Sequence, residues 1–248
     1  MPSSVVTRRV TKLRPGLVTT VSACSIRMAC PSGVVREGPT GDRTRRGAAR
    51  CHRTGRGVIT PRLPPGRQLA VANAGISGNT VSRQPNPYDP TGRCCGPPVP
   101  ERLEYDALDL AGARHLILLE GTNDLGGGDH APPAPASRVI GAMKEIVERA
   151  HARGVKIVGA TLMPMCAAAD SGTEANRRAV NEFIRTGGVF DGVADFDAVV
   201  RDPADPTRIR EAYRSDCYHP NAAGHAALGK SLDLGLFGLD RPRVERAA

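Results

Sequence analysis

The sequence predicts an α/β fold, a parallel sheet with helices on both faces, over residues 67 to 240. Three observations predict it. Short apolar runs alternate with amphipathic helical patterns along this part, the order of repeated strand–helix–strand units. The runs are apolar enough for strands buried on both faces, as parallel sheets require. Two of them end in polar turns, Asn73-Ala74-Gly75-Ile76-Ser77-Gly78-Asn79 and Gly121-Thr122-Asn123-Asp124, at the carboxyl edge where open α/β sheets keep their sites.

The elements follow in order. Leu69 to Ala72 reads as a strand, and residues 84 to 100 as a Pro/Gly loop. Glu101 to Ala111 reads as a helix, with Leu103, Ala107, Leu108 and Leu110 near one face. Leu116 to Leu119 is the next strand. Ser137 to Arg153 is the clearest helix. Val139, Met143, Ile146, Val147 and Ala150 form a stripe at i, i+3, i+4 spacing, Ser137 is placed to cap it, and Gly154 stands in the C′ place. Val155 to Thr161 is a strand. Thr173 to Arg185 is a helix that turns Val180, Phe183 and Ile184 inward and stops at Gly187-Gly188. Gly192 to Phe196 is a short strand, and Ala222 to Leu236 the final helix.

The N-terminal part has another texture. Residues 1 to 67 hold 14 Lys/Arg against 2 Asp/Glu, whereas the remainder holds 20 against 23, so the net charge of +9 belongs to one end. Residues 27 to 67 contain 10 Arg, 7 Gly and 5 Pro and show no hydrophobic period, a composition with too little to bury. Residues 1 to 66 are therefore expected to be a basic segment, disordered or foreign to the domain, as GC-rich codons read out of frame would give. Residues 241 to 248 form a tail.

Composition excludes several function classes. Aromatics make up 3% of the chain and tryptophan is absent, which leaves few stacking platforms for bases or sugars. The run from Arg43 to Gly57 would serve a nucleic-acid-binding arm, but no aromatics interleave its arginines, and nucleic-acid binding is disfavoured. No C-x-x-C pair occurs, and His115, His130, His151 and His225 show no ligand spacing, so no metal and no cofactor is expected. No window of about 20 apolar residues spans a membrane. Arg8, Arg9, Lys12 and Arg14 precede Leu17 to Cys24 in the order of an export signal. That favours a secreted or cell-envelope protein over a cytoplasmic one. Of seven cysteines, Cys94, Cys95, Cys166 and Cys217 lie in the α/β part, enough for two disulfides or for scattered thiols.

The chemistry concentrates at Asp216-Cys217-Tyr218-His219-Pro220-Asn221. A carboxylate three residues before an imidazole is placed to take one ring N–H, fix the tautomer and leave the other nitrogen as a general base. Pro220 suits the first position of the following helix, and Tyr218 is expected in the pocket wall.

Together, Asn73 to Asn79, Gly121 to Asp124 and Asp216 to Pro220 resemble three of the four sequence blocks of the SGNH (GDSL) hydrolases, in that family's order. The resemblance implies a three-layer, flavodoxin-like α/β/α fold and hydrolysis of a carboxylic ester by an esterase, lipase or O-acetyl esterase. The substrate would be a small-molecule or carbohydrate ester. It implies His219 as general base, Asp216 as its orienting acid, and an oxyanion hole from the Gly78 backbone N–H and the Asn123 side chain. The family's first block, Gly-Asp-Ser with the nucleophile, is not recognisable. Gly41-Asp42-Arg43 carries arginine in place of the serine, Val34 to Thr40 carries threonine there, and Ser25 and Ser32 lack the motif. The nucleophile is unassigned and the first of five strands is expected to be missing. The competing expectation is a non-catalytic protein of this fold with a basic arm.

Overall fold

The computed structural model describes residues 17–22 through their backbone and residues 70–82, 86, 87, 91, 95–126 and 131–238 in full. Its sheet has five strands: β1 (Leu17–Ser22), β2 (Ala70–Asn73), β3 (Ala113–Leu119), β4 (Lys156–Ala160) and β5 (Gly192–Ala194). All neighbours pair in parallel, in the order β2-β1-β3-β4-β5. The helices are α1 (Val99–Leu103), α2 (Thr122–Gly126), α3 (Ala136–Ala152), α4 (Gly172–Thr186), α5 (Phe196–Val200) and α6 (Ala222–Ser231).

The central strand β3 shows why three layers form. Leu116, Ile117 and Leu118 are all buried, and alternate side chains enter different cores. Leu116 and Leu118, with Ile157 of β4, meet Leu103 of α1, Val139, Met143 and Ile146 of α3, and Val180 and Ile184 of α4. Ile117, with Val158 and Ala160, meets Phe196 and Val200 of α5 and Leu228 of α6 on the other face. Each fully buried aliphatic side chain contributes roughly 1.5–3 kcal/mol. Gly159 admits the Phe190 ring against β4, since a Cβ there would lie 2.8 Å from ring atoms.

The helix stripe read from Val139 to Ala150 is the buried face of α3. Its C-terminus is as expected: the Gly154 N–H meets the His151 carbonyl at 2.9 Å, and the Val155 N–H meets Ala150 at 3.0 Å. Its start differs, because Pro135 takes the cap position and Ser137 lies inside the first turn. The helix expected from Glu101 is α1 continued by a π-helical turn over Glu104–Leu108. The last helix stops at Ser231, and Leu234–Phe237 forms a separate 3-10 turn.

The strand expected to be missing is present. It is β1, within the basic N-terminal segment and made of residues that resembled the apolar part of an export signal. Its β-branched Val18, Thr19, Thr20 and Val21 suit an interior strand despite their hydroxyls. It pairs with β2 from Leu17↔Ala70 to Thr20↔Asn73 and with β3 from Val18↔His115 to Ser22↔Leu119. The expectations for residues 27 to 67, the Arg43–Gly57 run and the C-terminal tail lie outside the described residues. Among the described residues no helix is long and apolar enough to cross a membrane.

Candidate active site

The candidate turns follow the carboxyl ends of the strands. The loop bearing Gly78 follows β2, Asn123 follows β3 on α2, and the β4 exit runs from Thr161 to Cys166. The turn holding Asp216 and His219 precedes α6. Tyr218 of that turn is half-buried and packs against the same core as Ala74 and Leu119.

The 214–220 turn is closed on itself. Arg214 bridges Pro220, and the Ser215 N–H meets the His219 carbonyl at 2.8 Å. Asp216 folds its carboxylate over the turn. Its Oδ1 accepts the N–H of Tyr218 at 2.7 Å and of His219 at 2.8 Å, while Oδ2 lies 2.7 Å from His219 Nδ1. Burial pushes the Asp216 carboxyl up, but the Tyr218 N–H, the His219 ring and the His219 N–H outweigh it and hold it below its ordinary range. An ionised carboxylate only accepts, so Nδ1 carries a proton and Nε2 is the acceptor nitrogen of the neutral ring. Nε2 is buried and has no hydrogen-bond partner among the described residues. Pro220, expected at the first helical position, stands outside the helix. Asn221 caps α6 instead, its Oδ1 accepting the Gly224 N–H at 2.9 Å.

The Gly78 and Asn123 turns are brought together. Gly78 is buried with φ +75°, a conformation that favours glycine. Asn123 is fully buried, and one Nδ2–H reaches the Asn79 carbonyl at 2.7 Å. An amide nitrogen carries two hydrogens, and among the described residues this bond uses one of them. Asp124 accepts the N–H groups of Val81 and Ser82 and the Ser82 hydroxyl. Burial nevertheless raises its carboxyl above the usual range, against the pull of these donors. Asn79 is held in turn: its Nδ2 donates to the carbonyls of Cys95 and Pro97, and its Oδ1 accepts from Arg102 at 2.7 Å.

The β4 exit is fixed from α4. Asn181 takes the Leu162 N–H at 2.7 Å and gives an N–H to its carbonyl at 2.9 Å. Arg177, 3% exposed, donates to the same carbonyl, to Glu174 through two nitrogens and to Asp197 at 2.7 Å. Sequence reading missed this network, whose Glu174 and Arg177 stand three apart on one helix. It also left the cysteine pairing open: Cys166 and Cys217 form a disulfide with Cα atoms 5.3 Å apart, and Cys95 is disulfide-bonded too. Ser25, Ser32, Thr40, Gly41, Asp42, Cys94 and His130 lie outside the described residues. His115, His151 and His225 are dispersed: His115 stacks edge-on with Phe237, and His151 pairs with Asp191. No group of three or more His, Cys, Asp or Glu among the described residues could hold a metal ion.

The family model of the GDSL-like lipase/acylhydrolases matches residues 38–227. Similar solved structures include a catalytic mutant of an acetylxylan esterase from Geobacillus stearothermophilus, with TM-score 0.56 and 19% identity over 92% of this chain and 97% of that one. A GDSL-like lipase from Bacteroides thetaiotaomicron VPI-5482 has TM-score 0.51 and 15% identity over 68% and 76% of the two chains. An α/β hydrolase from the metagenome of Lake Arreo, Spain, has TM-score 0.51 and 18% identity over 72% and 77%. At such identities these likenesses establish the fold. No curated protein matches the sequence.

Proposed function

This chain belongs to the GDSL-like lipase/acylhydrolase family, and on that premise we propose that it hydrolyses carboxylic esters, including O-acetyl groups on small molecules or carbohydrates. The observation that carries the reading is the Asp216–His219 pair: Nδ1 is bound to a carboxylate held below its ordinary range, and Nε2 is buried without a partner among the described residues. In the proposed mechanism Nε2 takes the proton of an attacking hydroxyl, and Asp216 steadies the imidazolium. The Gly78 N–H and the second Asn123 N–H receive the negative charge that develops on the acyl oxygen. His219 then returns its proton to the leaving alcohol, and water repeats the sequence on the acyl-enzyme. The hydroxyl belongs on the segment that follows β1, where Ser25, Ser32 and Thr40 are the candidates. Acetyl is a fitting acyl group because one structural neighbour is an acetylxylan esterase.

The test is turnover of p-nitrophenyl acetate and of an acetylated xylo-oligosaccharide by wild type and His219→Ala. Turnover that His219→Ala abolishes, with the circular dichroism spectrum unchanged, supports the reading. Equal rates in the two proteins defeat it.

A further inference from the structure

Cys217 stands between the two members of the Asp216–His219 pair, and its disulfide crosses to Cys166 at the end of the β4 exit. The two ends of this bond differ in how firmly they are held. On the Cys166 side, Leu162 and Met165 are buried, Leu162 is bonded at both backbone groups, and the Cys166 N–H meets the Thr207 carbonyl at 2.9 Å. Cys166 also has φ +53°, a conformation disfavoured for a residue with a Cβ and kept only where surroundings fix it. On the Cys217 side the turn is shallow. Ser215, Asp216 and Cys217 are exposed, and of residues 214–220 only Pro220 is buried. Hydrogen bonds within the turn fix its shape but not its place over the sheet. Beside the packing of Tyr218, His219 and Pro220, the disulfide is the covalent anchor that joins the exposed tip of the turn to the β4 exit.

We propose that the Cys166–Cys217 disulfide is the positioning tether of the Asp216–His219 pair, so that the chemical step depends on the oxidised bond. The proposal rests on the hydrolase reading for its catalytic consequence, not for the tether itself. Reduction by a dithiol such as dithiothreitol transfers two electrons and two protons. It leaves Cys166 and Cys217 as thiols, with the reductant closed to its own disulfide. Cys217 is exposed, so a small reductant reaches it. The released turn opens its internal bonds more often and wanders relative to Asn123 and Gly78, and small misplacements of a reacting group are expensive.

The experiment compares the isotope-labelled full chain oxidised, reduced, and as Cys166→Ser and Cys217→Ser. Cys95 is also disulfide-bonded, and the two variants separate its reduction from that of the tether. Amide hydrogen exchange is read at Tyr218 and His219, whose N–H groups bind Asp216, and at Met143 and Ile146 of α3 as a reference. Both variants and the reduced protein should exchange about tenfold faster at Tyr218 and His219 with α3 unchanged. In parallel, kcat on p-nitrophenyl acetate should fall about tenfold or more with KM nearly constant, and reoxidation should restore the wild type alone. Three outcomes overturn the proposal: free thiols at both positions in the oxidised protein, unchanged exchange at Tyr218 and His219, or acceleration spread equally into α3. Exchange needs no substrate and decides the tether even in a chain that turns over no ester, an outcome that defeats only the hydrolase reading.

Discussion

Asp124 accepts from Ser82 twice, from its backbone N–H at 2.9 Å and from its hydroxyl at 2.5 Å, while its other oxygen takes the Val81 N–H. This carboxyl on α2 fastens the chain that leaves Gly78, and its neighbour Asn123 fastens the same chain through Asn79. Two consecutive side chains thus lock the β2 and β3 turns together.

The raised Asp124 carboxyl makes that lock pH-dependent. A group whose folded value exceeds its unfolded value contributes stability below the unfolded value, about 4 for aspartate, and loses it as pH rises through the folded value. The stability difference between wild type and Asp124→Asn should therefore shrink as pH rises from about 3 toward neutrality. Urea unfolding across that range measures it, and a pH-independent difference would falsify the argument.

Removing the Asn123 amide should lower kcat by roughly 10²-fold or more with little change in KM, since in the proposed mechanism its second N–H meets charge that exists only in the transition state. Steady-state kinetics of Asn123→Ala make the comparison. A change confined to KM would make Asn123 a ground-state binder.

Asp216→Asn should keep the turn, because an amide oxygen still accepts from Tyr218 and His219, but it lets the imidazole adopt the other tautomer. The rate should fall by on the order of 10²–10⁴. In wild type the lowered Asp216 carboxyl contributes stability above about pH 4, lost as pH falls through its folded value. Activity lost at neutral pH in the variant and a smaller acid sensitivity of its stability are the two readouts.

Arg177→Met strips Glu174 and Asp197, both nearly fully buried, of a shared cation. Breaking a buried pair on one side costs about 3–5 kcal/mol, softened here by Arg178, Arg185 and Arg201 at the same carboxylates. A denaturant midpoint within error of wild type would contradict the network's role.

The sheet and the site were legible to different depths. Val139 through Ala150 announced α3 because an amphipathic stripe encodes both period and orientation. Asp216 and His219 were legible because a carboxylate can fold onto the N–H groups two and three residues ahead, a purely local geometry. Asn221 was missed as the cap because Pro220 beside it also carries a helix-start signal. Leu17–Ser22 was missed as a strand because two threonines and a serine dilute its apolar run, and its burial comes from partners far along the chain. The Cys166–Cys217 pairing is tertiary, and cysteine spacing does not encode it.

An interior strand whose partners lie far along the chain has a consequence for biosynthesis. β1 leaves the ribosome about fifty residues ahead of β2 and about a hundred ahead of its last register partner, Leu119, on the order of ten seconds at cellular rates. Until β2 follows, the nascent chain carries a β-branched segment with both hydrogen-bonding edges open, and until β3 follows one edge stays open, a template for any other strand nearby. The pace of translation between the two strands, and the chaperones waiting at the exit tunnel, thereby become determinants of how much of this protein reaches its folded form.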